Sequence, residues 1–175
     1  MPKQIIDVKN KLFHTAKNIL QTEGYAELSM RKLAKECSIA VGTVYNYVQN
    51  KEELVALVIM EDWTRTLDEM RGAAEESADV SDGMCGIYRA LLAFIEEYQD
   101  IWAQYSQIGG SSSVIVSHHL MLRGQIAAQI QRLMEQFGQS QLLTLTPLLA
   151  ETVLAAAMQP DMDENLVRML TERLL

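Results

Sequence analysis

The chain has 175 residues, of which 49% are hydrophobic, and a net charge of −8. This is enough for one domain of ordinary size with a packed core. No uninterrupted apolar run approaches the ~20 residues that cross a bilayer, and the N-terminus shows no secretory signal, so we expect a cytoplasmic protein. Two cysteines, Cys37 and Cys85, are too few for a disulfide framework and lack metal-site spacing.

The charge is unevenly distributed along the chain. Residues 1–51 carry eight basic and four acidic side chains, whereas the remaining residues carry seven basic and nineteen acidic ones. Phosphate binding requires only a local positive surface, because counterion release is a near-field effect. The asymmetry predicts that any contact with nucleic acid is confined to the N-terminal third, although charged helix faces are also common without such a role.

Apolar residues recur with the period of an α-helix, and no segment alternates as a strand does, so we predict an all-α fold. The predicted helices cover 7–23, 29–37, 41–48, 51–74, 84–108 (unbroken or as a pair), 114–137, 141–158 and 161–175. Asp7, Ser29 and Asn50 are predicted N-caps, and Gly24 and Gly138 are predicted stops. Residues 77–83 are predicted to form a polar connection.

Two short helices joined by a tight turn, after a longer first helix, indicate a helix-turn-helix. Leu33, Ile39 and Val44 are spaced to form the apolar wedge between the two helices. Ser38 lies where the chain must turn sharply with positive φ, which costs a serine about 1 kcal/mol.

The segment 28–54 and the end of the first helix resemble the TetR (tetracycline-repressor-type) family of regulators, and the resemblance extends over about residues 8–58. The matching residues are Gly24-Tyr25, Leu33-Ala34, Gly42-Thr43-Val44-Tyr45, Tyr47 and Asn50-Lys51-Glu52-Glu53-Leu54. Ser38, Ala40 and Val48 depart from the common pattern of a turn glycine, a Ser/Thr cap and a Phe. The resemblance implies an N-terminal helix-turn-helix domain over 1–50 and a helical regulatory and dimerisation body over 51–175.

The resemblance also implies which residues meet DNA: Ser29, Val41, Gly42, Thr43, Tyr45, Asn46, Tyr47 and Lys51. Gly42 would let the recognition helix approach the groove, where Tyr45 and Asn46 face the bases. Hydroxyl groups and the ammonium of Lys51 would hold phosphates. Two alternatives stay open: Tyr45 could be buried in the helix-turn-helix core, and Lys51 could pair with Glu27 or another acid.

The last two predicted helices carry more apolar surface than one buried stripe needs. This surface consists of Leu142, Leu143, Leu145, Leu148, Leu149, Val153, Leu154, Ala157, Leu166, Val167, Leu170, Leu174 and Leu175. We therefore expect a homodimer through these helices, with an internal core as the alternative. Paired reading heads would match a palindromic operator in double-stranded DNA.

A pocket for a hydrophobic small-molecule inducer would lie among the middle helices. Its candidate lining residues are Trp63, Phe94, Tyr98, Trp102, Tyr105, Met121, Met134 and Phe137, which an ordinary core would also contain. His118 and His119 are adjacent on a predicted helix and therefore point about 100° apart, so we expect no metal site there. No cofactor is expected.

The resemblance thus implies a transcriptional repressor that an inducer releases by moving the 51–74 helix as a lever. One alternative is a DNA-binding protein of the same fold without an inducer. Another is a helical interaction protein that has lost DNA binding. An enzyme is not expected, because the sequence has no phosphate-cradling Gly-rich loop, nucleophile elbow, HExxH or CxxC pattern.

Overall fold

The computed structural model describes residues 3–107 and 112–174, with side chains except at 3–7, 102, 104–107 and 112–119. The helices are α1 Lys3–Glu23, α2 Met30–Glu36, α3 Val41–Tyr45, α4 Lys51–Glu75, α5 Val80–Gln107, α6 Ser112–Gln136, a 3₁₀ helix Ser140–Leu145, α7 Thr146–Met158 and α8 Glu164–Leu174. The described residues contain no strand. The all-α prediction is confirmed.

Most predicted helix ends are confirmed by local hydrogen bonds. The Ser29 hydroxyl accepts from the backbone N–H of Lys32 at 3.2 Å, and the side-chain amide oxygen of Asn50 accepts from the backbone N–H of Glu53 at 2.7 Å. Gly24 and Gly138 follow their helices with φ of 90° and 71°. These caps and stops depend on residues within one turn of the helix end, which is why the sequence shows them.

Five predicted boundaries are wrong. Helix α1 begins at Lys3, so Asp7 lies inside the helix and is not its N-cap. Nothing in residues 3–6 disfavours helix, and the pattern therefore extends upstream of the polar residue. Helix α3 ends at Tyr45 because the next two amides bond only three residues back, Asn46 to Thr43 at 3.2 Å and Tyr47 to Val44 at 3.0 Å.

Helix α5 begins at Val80, within the predicted connection, and runs unbroken to Gln107. The Asp79 carboxylate caps it by accepting from the backbone N–H of Asp82 at 2.8 Å. Gly86 lies inside α5 where this helix approaches α4 closely. A Cβ on Gly86 would lie 2.7 Å from the Cβ of Ala73 on α4.

The predicted 141–158 helix is a 3₁₀ helix followed by α7. Pro147 has no N–H to donate to the carbonyl of Leu143, and the Thr146 hydroxyl bonds that oxygen instead at 2.9 Å. Helix α8 begins three residues later than predicted. Its N-cap is Asp163, whose carboxylate accepts from the N–H of Leu166 at 3.1 Å; this bond lowers the pKa of Asp163.

The described chain forms two compact units. The first contains residues 3–62 and 97–107, and the second contains residues 63–96 and 112–174. The predicted domain division at residue 50 is not tested by this partition. Within the first unit, α2 packs against both α1 and α3, and the larger apolar side chains that are almost completely buried there include Leu12, Ile19, Leu28, Leu33 and Leu54.

The second unit is centred on the packing of α6 against α7. Ile126, Ile130 and Leu133 on α6, and Leu149 and Val153 on α7, are almost completely buried. Among the described residues one segment, Ser140–Met158, has the length and composition of a membrane span. The segment is divided before Pro147 into the 3₁₀ helix and α7, and one face of α7 is buried against α6. The segment therefore belongs to the core of the second unit, and its other face carries exposed apolar side chains.

Candidate DNA interface

Helices α2 and α3 are held at a fixed angle by the turn at residues 37–40. Ser38 has a φ of 56°, as predicted for a left-handed turn residue. Its N–H bonds the Lys35 carbonyl at 3.1 Å, and the N–H of Ile39 bonds the Ala34 carbonyl at 3.0 Å. These two bonds form a Schellman motif, which ends α2 and redirects the chain into α3.

The predicted wedge between the two helices is present. Leu33 and Val44 are buried and Ile39 is half-buried, while Ala34 is buried where a larger side chain would separate the helices. The Lys11 ammonium of α1 also donates to the Cys37 carbonyl at 3.0 Å. The turn is therefore fixed from both sides, by its own backbone and by α1.

Helix α3 has one buried face and one open face. Val44 is buried, whereas Gly42 and Asn46 are exposed and Tyr45 is 53% exposed. The alternative that Tyr45 lies in the core is wrong. Apart from the adjacent residues and the backbone of α3 itself, no heavy atom lies within 4 Å of where a Cβ on Gly42 would stand, so the surface beside it is open.

The other predicted contact residues surround this open face with partial exposure. Val41, Thr43 and Tyr47 are half-buried, and Ser29 is exposed at the start of α2. Ala40 has no side-chain hydrogen bond at the start of α3, as its departure from the Ser/Thr pattern predicts. The DNA-contact roles themselves stay predictions.

Lys51 lies in the first turn of α4 and is half-buried. Its ammonium lies 3.9 Å from the centre of the Tyr25 ring. Partial burial lowers the pKa of Lys51, while the acidic neighbours Glu52 and Glu27 oppose that shift. The ammonium thus lies against an aromatic face, which attracts a cation without carrying a formal negative charge.

Sequence reasoning missed a polar cluster in the first unit. Asp62 is 4% exposed. Its carboxylate pairs with the Lys17 ammonium at 2.5 Å and accepts a short hydrogen bond from the Tyr98 hydroxyl. Lys17 also pairs with Glu97 at 2.9 Å. The cluster joins α1, α4 and the end of α5; the only signal in the sequence is one charged residue on an apolar helix face.

The predicted pocket residues are divided between the two units. In the second unit the Trp63 and Phe94 rings are 5.0 Å apart in an edge-to-face arrangement, and the Trp63 indole N–H donates to the Gln125 side chain at 2.6 Å. Met134 is buried, and Met121 and Phe137 are half-buried. Tyr98 belongs to the first unit. The side chains of Trp102, Tyr105, His118 and His119 lie outside the described residues.

Only part of the apolar surface that is predicted to form a dimer interface is buried inside the chain itself. Within one chain Leu149, Val153, Leu154, Ala157 and Val167 are buried, and Leu142, Leu143, Leu145 and Leu170 are half-buried. Leu148 and Met158 on α7 are 64% and 63% exposed, and Leu166, Met169 and Leu174 on α8 are also exposed. Leu175 lies outside the described residues. The two helices thus have an outward apolar face.

An all-helical chain with this turn and this open third helix defines a helix-turn-helix protein, and comparison with known proteins specifies the family. Residues 12–58 match the model of bacterial regulatory proteins of the tetR family. The chain is 43% identical over 49 residues to an uncharacterised HTH-type transcriptional regulator of Haemophilus influenzae, a match that covers 28% of this chain and 26% of that protein. The chain thus spans about a quarter of that relative's length.

Two further similarities extend over the whole chain. The fatty acid metabolism regulator protein of Bacillus subtilis is 22% identical over 158 residues, which cover 90% of this chain and 74% of that protein. The crystal structure of a TetR-family transcriptional regulator from Pectobacterium atrosepticum has a TM-score of 0.67 at 21% identity, covering 100% of this chain and 95% of that one. Residues 12–58 thus form a domain of the tetR family, and the chain as a whole shares the fold of that structure.

Proposed function

We propose that the chain is a transcriptional repressor that binds a palindromic operator as a homodimer and is released by a hydrophobic small molecule. The observation that carries the proposal is the open face of α3, where Gly42, Tyr45 and Asn46 are exposed while Val44 is buried. An exposed helix face of this kind fits a major groove, and its N-terminal residues can reach base edges.

The flanking groups suit phosphate. Arg31 and Lys35 are exposed on α2, the Ser29 hydroxyl is at its N-terminus, and the Lys51 ammonium lies against an aromatic ring. These cations lie in the part of the chain with net positive charge, while the acidic remainder would repel DNA. The arrangement supports binding through one end of the molecule.

The outward apolar face of α7 and α8 supports the homodimer. Along α7, Leu148 and Met158 are exposed and Thr152 and Ala155 lie between them. Large apolar side chains that are exposed together on one helix are typical of an interaction site. A two-fold axis through these helices would pair two identical helix-turn-helix domains, as a palindromic site requires.

A hydrophobic inducer is supported by the aromatic pair Trp63 and Phe94 beside the Gln125 amide, because apolar walls with few polar groups are typical of ligand sites. The similarity to a fatty acid metabolism regulator favours an acyl chain as the ligand class. Ligand binding to one state of the dimer would then shift α4 and lower operator affinity.

The first experiment is selection of bound duplexes from a random-sequence library, followed by anisotropy titrations with the selected duplex. We expect an enriched sequence with two inverted half-sites about one helical turn apart. Thr43→Ala, Tyr47→Ala and Lys51→Ala should each weaken binding, and Arg65→Ala, at an exposed position of α4, should not. No binding to duplex DNA at low salt would refute the repressor function.

The inducer is tested by adding a long-chain fatty acid or its acyl-CoA ester to the complex of protein and selected duplex. Release of DNA by the long chain, and not by acetate, would support the proposal. Unchanged affinity at saturating long-chain ligand would overturn this ligand class and favour a DNA-binding protein without an inducer.

A further inference from the structure

Tyr25 and Lys51 form a pair that joins the end of α1 to the start of α4. Tyr25 is 4% exposed and directly follows Gly24, whose positive φ turns the chain after α1. The Lys51 ammonium lies 3.9 Å from the centre of the Tyr25 ring. This is well inside the ~6 Å range in which a ring face attracts a cation.

The ring is itself fixed by the start of α4. The Tyr25 hydroxyl is 3.3 Å from a carboxylate oxygen of Glu52, the residue after Lys51. The first turn of α4 is held by Asn50, which caps the N–H of Glu53, and by Glu53, whose carboxylate accepts from the N–H of Gln49 at 2.5 Å. The ring and the backbone that carries the ammonium are therefore fixed relative to each other.

We propose that Tyr25 is a positioning residue that holds the Lys51 ammonium, partly dehydrated and still charged, where it contacts a DNA phosphate. Fixing a free lysine side chain costs rotamer entropy, and a ring that restricts the side chain beforehand removes part of that cost from binding. A carboxylate at the same place would neutralise the charge, whereas an aromatic face does not. The inference rests on the proposed DNA binding.

The test changes the electrostatics of the ring and leaves its shape almost unchanged. Tyr25→Phe is prepared first, and then proteins with mono-, di- and trifluorinated phenylalanine at residue 25, each with Lys51 and with Lys51→Ala. Fluorine withdraws charge from the ring face and so weakens its attraction for a cation. Binding to a labelled duplex of about 30 base pairs, long enough for two half-sites, is measured over a range of salt concentrations.

We expect the affinity of the Lys51 series to fall in steps with fluorination, by about three- to tenfold in total. The Lys51→Ala series should show no dependence on fluorination, and thermal melting should remain similar throughout. Equal losses in both series would show a purely structural role for the ring and overturn the proposal. A rise in affinity with fluorination would mean that Tyr25 sequesters the ammonium, which also overturns it.

The control for the premise is the unsubstituted protein on the same duplex. If it does not bind at low salt, the repressor function fails, and the role of Tyr25 fails with it. If it binds, and the DNA affinity of the proteins with Lys51 does not change with fluorination, then only the inference about Tyr25 is wrong and the repressor function stands. The two failures are therefore distinguishable.

Discussion

Ser38 and Gly138 occupy the same position of the same helix-ending motif. Ser38, after α2, has a φ of 56°, and Gly138, after α6, has a φ of 71°. In both motifs the following amide bonds back across six residues, Ile39 to Ala34 at 3.0 Å and Gln139 to Met134 at 2.8 Å. Only the glycine adopts this conformation without a Cβ clash.

This relationship predicts opposite effects of two substitutions. Ser38→Gly relieves about 1–2 kcal/mol of backbone strain. Glycine also has greater conformational freedom in the unfolded chain, which offsets part of this, so the free energy of unfolding should rise by about 0.5–1 kcal/mol. Gly138→Ser should lower the free energy of unfolding by about 1 kcal/mol. Urea unfolding measures both. A loss of stability in Ser38→Gly would contradict the strain argument; Ser38→Ala, which keeps the Cβ, is the control.

The close approach of α4 and α5 at Gly86 predicts sensitivity to one added methyl group. Because a Cβ there would stand 2.7 Å from the Cβ of Ala73, the helices must separate. We expect Gly86→Ala to cost about 1–3 kcal/mol. Gly72 on α4 has no neighbour within 4 Å of its added Cβ. Gly72→Ala should therefore stabilise by about 0.5–1 kcal/mol, and equal effects of the two in thermal melting would refute the packing argument.

Tyr88 and Tyr98 are both buried on α5 and predict a graded loss of stability when each hydroxyl is removed. The Tyr98 hydroxyl donates to the buried Asp62 carboxylate, whereas the Tyr88 hydroxyl donates to the neutral Met162 carbonyl at 3.1 Å. Tyr98→Phe should cost about 1.5–3 kcal/mol and Tyr88→Phe about 0.5–1.5 kcal/mol, because hydrogen bonds to charged groups contribute more. Chemical denaturation of both variants provides the comparison, and a larger loss at Tyr88 would contradict it.

The outward face of α7 predicts an oligomer that one charge can disrupt. Leu148→Glu and Met158→Glu should each weaken dimerisation at least about a hundredfold, because two-fold symmetry places each change in the interface twice. Light scattering coupled to size exclusion reports the mass. Leu57→Glu, at an exposed apolar position of α4 (37%), is the matched control and should remain dimeric. A monomeric starting protein would disprove the interface.

The sequence by itself determined the features that depend on neighbouring residues. Ser29 and Asn50 were recognisable as caps, and Gly24 and Gly138 as stops, because each acts on amides within one turn. The ordered motif from Gly24 to Leu54 also indicated the family before any geometry was known. The end of α3 at Tyr45 is not visible in the sequence, because the change to bonds three residues back occurs with no glycine or proline to mark it.

Only the tertiary structure decided which side chains face solvent and which meet across the chain. Helical periodicity permits Tyr45 to lie on either face of a five-residue helix, and packing of α3 on α2 turns it outward. Asp62 contacts Lys17, which is 45 residues earlier in the chain, and Tyr98, which is 36 residues later. The residues adjacent to Asp62 in the sequence do not indicate either contact. The same holds for Gly86 against Ala73 and for the ring of Tyr25 beneath Lys51. Local free energies shape the helices, and contacts between distant residues shape the surface that would meet DNA.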